Sequence, residues 1–177
     1  MTQVGCRCGA VALAVEGPPI AAVECHCASC RRAGAMLEAL PDALPVLDAR
    51  GGTAFVMQRK DRVRFERGTE HLRALRLAEG GTRRVVATCC GTPVFLEFPG
   101  GHWLSLYAAI WTESARPRTE FRTMTGDRDL PHDVPNLRTH SLGFYARLLV
   151  AWARMGFRNP PAPDAAPLDL PPAPPRP

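Results

Sequence analysis

Aromatic residues are scarce in this chain of 177 residues, at 7%, and no long apolar run occurs in it. The scarcity leaves the core to leucine, valine and alanine, which supply most of a hydrophobic content of 46%. Without an apolar run of about 20 residues there is no membrane-spanning helix. A strong charge of one sign is also missing, since 22 basic and 17 acidic residues leave a net +5. The arginines are scattered, so this balance reads as a solvated surface and not as a nucleic-acid face. The opening stretch, MTQVGCRCGA, lacks a basic region followed by an apolar run. No signal peptide is therefore expected, and the expected compartment is the cytoplasm.

Turn formers are abundant: 18 prolines and 15 glycines imply short elements and many reversals. GAVALAVEG alternates, placing Val11, Leu13 and Val15 on one face of a half-buried strand. AAVECHC is extended, and ASCRRAGAMLEAL is helix-forming up to Pro41. RVRFERG puts Val63 and Phe65 on one side and arginines on the other. Two strands joined across Gly80-Gly81 end at a Cys-Gly turn, and HWLSLYAAIW aligns Leu104, Leu106, Ala108 and Ile110. The pattern predicts a mainly β fold of short antiparallel strands over 1–130, with 113–140 polar and irregular. An extension, 131–158, carries a helix capped by Ser141, with Leu142, Tyr145, Leu149, Trp152 and Met155 near one face. From 159 to 177 proline dominates, which predicts a disordered or polyproline-like tail.

The seven cysteines carry the chemistry. Clustered thiols in a chain without an export signal point to metal more than to disulfides, and an odd count argues the same way. In an extended segment Cys6 and Cys8 share a face, as do Cys25 and Cys27, which turns His26 away. A tight turn brings Cys30 back to Cys27, so Cys25, Cys27 and Cys30 converge. Cys89 and Cys90 are adjacent and would point to opposite sides of a plain strand, unless the turn at Gly91 relieves this. The seven thiols thus divide into a closed set drawing on Cys6, Cys8 and Cys90, with Cys89 possible, and an open set of three. Four ligands make a structural zinc site, whereas three with a free position make a catalytic one. Zinc held by three thiolates is net negative and suits binding a further thiolate. Arg31 and Arg32 follow directly, placed to offset that charge or to grip a carboxylate of a thiol substrate.

The ordered motifs C-R-C-G-A-V, C-H-C-x-S-C-R-R and C-G-T-P resemble the glutathione-dependent formaldehyde-activating enzyme family, also called centromere protein V-like. The resemblance covers about residues 4 to 112. It implies a zinc-held β domain of the Mss4-like type, with a structural zinc on Cys6, Cys8 and Cys90. It further implies a catalytic zinc on Cys25, Cys27 and Cys30, and the joining of formaldehyde to glutathione. One position departs from the pattern: Ala87 stands where the family's C-x-x-C-G has cysteine, and Cys89 lies two residues on. GGT, RFERGTEHLRALRL and CCGTP together are similar to an uncharacterised bacterial branch.

Three functions follow. The first is a zinc-dependent carbon–sulfur lyase-type enzyme taking a small thiol and an aldehyde, with Cys25, Cys27 and Cys30 at its centre. The second is a non-catalytic zinc-scaffolded binding module. The third, a redox protein using Cys27 and Cys30, is disfavoured by Cys25 and the paired C-x-C. The feature that separates the first two is whether the open metal position faces a pocket. The apolar C-terminal helix either docks on the β domain or supplies a homodimer contact.

Overall fold

Strict alternation of apolar side chains makes the strands of this chain two-faced, and each face finds its own cover. The computed structural model describes residues 1–169. Its strands are β1 (Thr2–Gly5), β2 (Ala12–Val15), β3 (Ala21–Cys25), β4 (Thr53–Arg59), β5 (Val63–Arg67), β6 (Leu72–Arg76), β7 (Arg83–Ala87), β8 (Thr92–Glu97), β9 (Trp103–Tyr107), β10 (Phe121–Thr123), β11 (Asn136–Leu137) and β12 (Ala166–Pro167). Two α-helices, α1 (Ala28–Glu38) and α2 (Leu142–Arg154), and three short 3-10 helices, Lys60–Arg62, Thr69–His71 and Ala108–Ile110, complete the described elements.

The mainly β architecture with a C-terminal helix is as expected. β1, β2 and β5 form a small antiparallel sheet. The other nine strands make one sheet in the order β11-β10-β3-β4-β9-β8-β7-β6-β12. Its six central strands are antiparallel neighbours. Its two margins are parallel, β10 with β3 and β11, and β12 with β6.

Alternation then sorts the core. Val85 and Ala87 of β7 turn toward the small sheet, with Leu104 and Leu106 of β9 and with Val11, Leu13 and Val15. Val86 turns the other way, with Leu75, Leu96 and Tyr107, toward Ala33 and Leu37 of α1 and Phe144 and Leu148 of α2. Each large side chain so buried contributes about 1.5–3 kcal/mol. The large sheet is thus the middle layer, and its helix-covered face carries the site described below.

Three expectations change. First, α2 docks through Phe144, Leu148, Ala151 and Met155. The stripe Leu142, Tyr145, Leu149 and Trp152 is instead solvent-exposed, Leu142 at 88%. Both stripes are apolar, so periodicity does not choose between them. Tertiary partners do: the Phe144 ring meets Phe121 at 6.0 Å, and the Leu148 carbonyl lies 2.9 Å from His102 Nε2. Second, the polar stretch from 113 to 140 is not wholly irregular. It delivers β10 and β11 to the sheet edge, where Arg122 pairs with Glu24 and Asp133. β11, which falls within the expected extension 131–158, thus pairs into the sheet.

Third, the expected disordered tail is ordered over 159–169. β12 pairs with β6, and Leu168 N–H donates to the Ala74 carbonyl at 3.0 Å. Asn159 Oδ1 accepts from Lys60 Nζ at 2.9 Å, and the Pro163 carbonyl accepts from Arg83 at 2.9 Å. Proline can take such a place because an edge strand offers one side without a partner. The remainder of the proposed tail, 170–177, lies outside the described residues.

Candidate metal centres and the cavity beside them

The first cysteine cluster is built from two turns. Cys6 and Cys8 flank the turn after β1, and Gly9 beyond them adopts φ +78°. Cys89 and Cys90 occupy the turn between β7 and β8, followed by Gly91 at φ +65°. Both glycines hold left-handed backbone that a side chain would strain. At Gly91 a Cβ would also come within 3.1 Å of the Pro41 carbonyl. Because Cys89 and Cys90 lie in a turn and not in a strand, the objection to their both reaching one point does not apply.

All four sulfurs converge. Cys6 lies 3.5 Å from Cys8 and 3.8 Å from Cys89, Cys8 lies 3.4 Å from Cys89, and Cys89 lies 4.0 Å from Cys90. Cys89 therefore takes the place of the cysteine that Ala87 denies to the C-x-x-C pattern. Val11 N–H donates to Cys6 Sγ at 3.2 Å, although burial raises the Cys6 thiol, and Thr92 Oγ1 lies 3.1 Å from Cys90 Sγ. Burial raises the Cys90 thiol, but hydrogen bonds from the Thr92 hydroxyl and the Cys8 backbone outweigh it and bring it down to about 6.

The second cluster sits where β3 gives way to α1. Cys25 ends the strand, and Cys27 is the helix N-cap, its sulfur accepting from Cys30 N–H at 3.3 Å. Cys25, Cys27 and Cys30 converge as the spacing predicts. The helix N-terminus favours negative charge on them. Hydrogen bonds from the Cys25 and Cys30 thiols hold Cys27 down at about 2, and the same contact with Cys27 raises Cys25 to about 11. Three sulfurs this close support one negative charge easily and three only against mutual repulsion. A divalent cation is the group that relieves that repulsion, so the donor set fits a metal ion.

His26 faces away from the sulfurs, as expected. It is buried, its Nε2 lies 2.6 Å from Glu24 Oε1, and it groups with Glu24 and Asp48.

The three-cysteine cluster opens on a cavity of about 520 Å³ on the helix-covered face of the large sheet. Its walls are chiefly apolar: Val23, Phe55, Met57, Leu96, Phe144 and Leu148. Arg31 and Arg32 are not among the residues lining it; both are exposed on α1, and Arg31 lies against Gly51. The cause is helical phase. Cys30, Ala33 and Leu37 take the buried face, which sends the two arginines outward. The arginine that does line the cavity is Arg84 on β7. A signal for it exists in the sequence: in TRRVVA, Arg84 shares the face of Val86 in a strand with little polar character. His140 also lines the cavity, with its Nδ1 2.9 Å from Thr123 Oγ1 and its pKa lowered by burial. Nothing in its local sequence marks it.

No curated protein matches the chain. A crystal structure of a Rhodobacter sphaeroides protein, a structural-genomics target, aligns at 23% identity with a TM-score of 0.47. The alignment covers 66% of this chain and 93% of that one. The family model of DUF6151, a family of unknown function, matches residues 1–104. That span is more than half of the chain, and the chain belongs to this family.

Proposed function

We propose that the protein is a zinc enzyme of the carbon–sulfur lyase type, joining a small thiol to a small aldehyde. The observation that carries this reading is the cavity of about 520 Å³ onto which Cys25, Cys27 and Cys30 open. A structural cluster has no use for such an opening, and the volume is in the range of small-molecule sites. The four-cysteine cluster is read as the structural zinc site. Sulfurs about 2.3 Å from a tetrahedral zinc stand about 3.8 Å apart, and the observed spacings of 3.4–4.0 Å bracket that value.

In this reading zinc at the three-cysteine site would lower the pKa of the substrate thiol and position its sulfur. The side chains of the chain do the rest. Cys25, Cys27 and Cys30 leave one side of the site facing the cavity. The apolar walls exclude water from the electrophile. In the reaction the sulfur–carbon bond forms, the carbonyl π bond opens, and the thiol proton ends on the carbonyl oxygen. His140, half-buried in the same wall and held on Thr123, is the group suited to carry that proton. Formaldehyde and glutathione come from the family resemblance alone.

Proton-coupled ¹³C NMR of labelled formaldehyde mixed with a thiol tests the proposal, by the exchange rate between aldehyde hydrate and hydroxymethyl thioether. The protein should accelerate exchange, and Cys30→Ser should abolish the acceleration. Exchange at the uncatalysed rate with zinc-loaded wild type would refute it.

A second reading, a zinc-scaffolded binding module or homodimer, draws support from the exposed α2 stripe of Leu142, Tyr145, Leu149 and Trp152. Sedimentation of wild type beside Leu149→Glu tests it, because that side chain is exposed and its loss leaves the core intact.

A further inference from the structure

The cavity wall contains a buried cation that no carboxylate pairs among the described residues. Arg84 is 3% exposed. Its Nη2 donates to Ser29 Oγ at 2.6 Å and its Nη1 to the Thr82 carbonyl at 3.2 Å. Its Nε is buried and has no hydrogen-bond partner among the described residues. It makes no ion pair among them either, whereas its neighbour Arg83, on the opposite face of β7, is bound to Glu97. A buried guanidinium with an unused donor is expensive unless something anionic completes it. A second buried donor in the same wall, Trp103 Nε1, is likewise unmatched.

The position of this arginine is as telling as its state. Ser29, which anchors it, lies between Cys27 and Cys30 in the first turn of α1. Arg84 therefore stands beside the open metal position. Among the described residues it is the one permanently charged side chain that lines the cavity. No carboxylate among the described residues lines it to receive an ammonium group.

We infer that the thiol taken at the three-cysteine site is a monoanion, with a short apolar body between its sulfur and one carboxylate, and that Arg84 receives that carboxylate. The inference rests on the open metal site proposed above and names its substrate class. It also separates this protein from the glutathione chemistry of the resembling family. Glutathione brings two carboxylates and an ammonium group, and this cavity offers one cation among apolar walls. Planar, bidentate pairing of guanidinium with carboxylate gives the selectivity, strengthened where water is excluded.

Cobalt-loaded protein supplies the test, because thiolate binding to Co²⁺ changes its visible spectrum. The probes are 3-mercaptopropionate and its neutral isostere 3-mercaptopropionamide, titrated into wild type and Arg84→Met. In wild type the acid should bind at least about tenfold more tightly than the amide. In Arg84→Met the two should agree within about twofold, with cobalt content unchanged. An acid preference that survives Arg84→Met would reflect chelation by the metal alone and would overturn the inference. Equal binding of acid and amide to wild type would overturn it without reference to any variant. So would loss of cobalt from Arg84→Met, which would make the arginine a counter-ion of the cluster. Should Arg84→Met fail to fold, Arg84→Lys replaces it, with an expected partial loss of the acid preference, and an undiminished preference there counts against the inference. A spectrum that responds to neither thiol sinks the open-site reading itself, an outcome distinct from equal response to both.

Discussion

At Cys89 the chain solves a problem that its spelling creates. A C-x-x-C pattern is broken by Ala87, yet the adjacent cysteine reaches the same point because the turn before Gly91 frees it from strand geometry. Each member of the four-sulfur cluster should therefore matter to folding. Structural zinc contributes on the order of 10 kcal/mol in small domains. Melting temperatures should fall further for Cys6→Ser, Cys89→Ser and Cys90→Ser than for Cys30→Ser, and a lowest value for Cys30→Ser would reverse the assignment of the sites. Arg32, exposed and away from the cavity, should tolerate Arg32→Ala with less than about 0.5 kcal/mol change in denaturant unfolding. The cysteine groupings were legible because thiol spacing encodes convergence locally. His140 was not, and Arg84 only as a cation on an apolar strand face, because their roles come from distant segments that meet only across the folded sheet.

At the scale of elements, α2 shows the limit of periodicity. Its helix, its Ser141 cap and its end at Gly156 follow from local sequence, and all are present. Its orientation does not, since an apolar stripe lies on either side. Leu148→Glu should cost at least about 3 kcal/mol by burying an unpaired charge, while Leu149→Glu should leave thermal stability within about 0.5 kcal/mol. A larger loss for Leu149→Glu than for Leu148→Glu would mean that the helix docks through the other stripe. The segment 159–169 makes the same point about composition: prolines suggested a loose tail, yet backbone pairing with β6 holds it. Truncation after Arg158 removes that strand along with the contacts of Asn159, Pro163 and Leu168. It should lower unfolding free energy by about 1–3 kcal/mol in urea titrations. No change would show that the strand adds nothing.

For the whole molecule, one sheet serves two purposes. Its inner face packs on β1, β2 and β5 and joins the four-cysteine cluster to the core through Cys6 and Cys90. Its outer face, under α1 and α2, carries the three cysteines and the cavity. The mainly β class was readable from alternation. The parallel margins β10, β11 and β12 were not, because pairing between such short strands depends on what lies beside them. The division of the sulfurs into a closed and an open set is the claim on which the functional reading stands. X-ray absorption at the zinc edge of fully loaded protein measures it most directly, as sulfur coordination averaged over the four-cysteine and three-cysteine sites. The account predicts about three and a half sulfurs per zinc, with a lighter atom completing the average, rising to about four on addition of 3-mercaptopropionate. Four sulfurs before any thiol is added, or no rise afterwards, would contradict it.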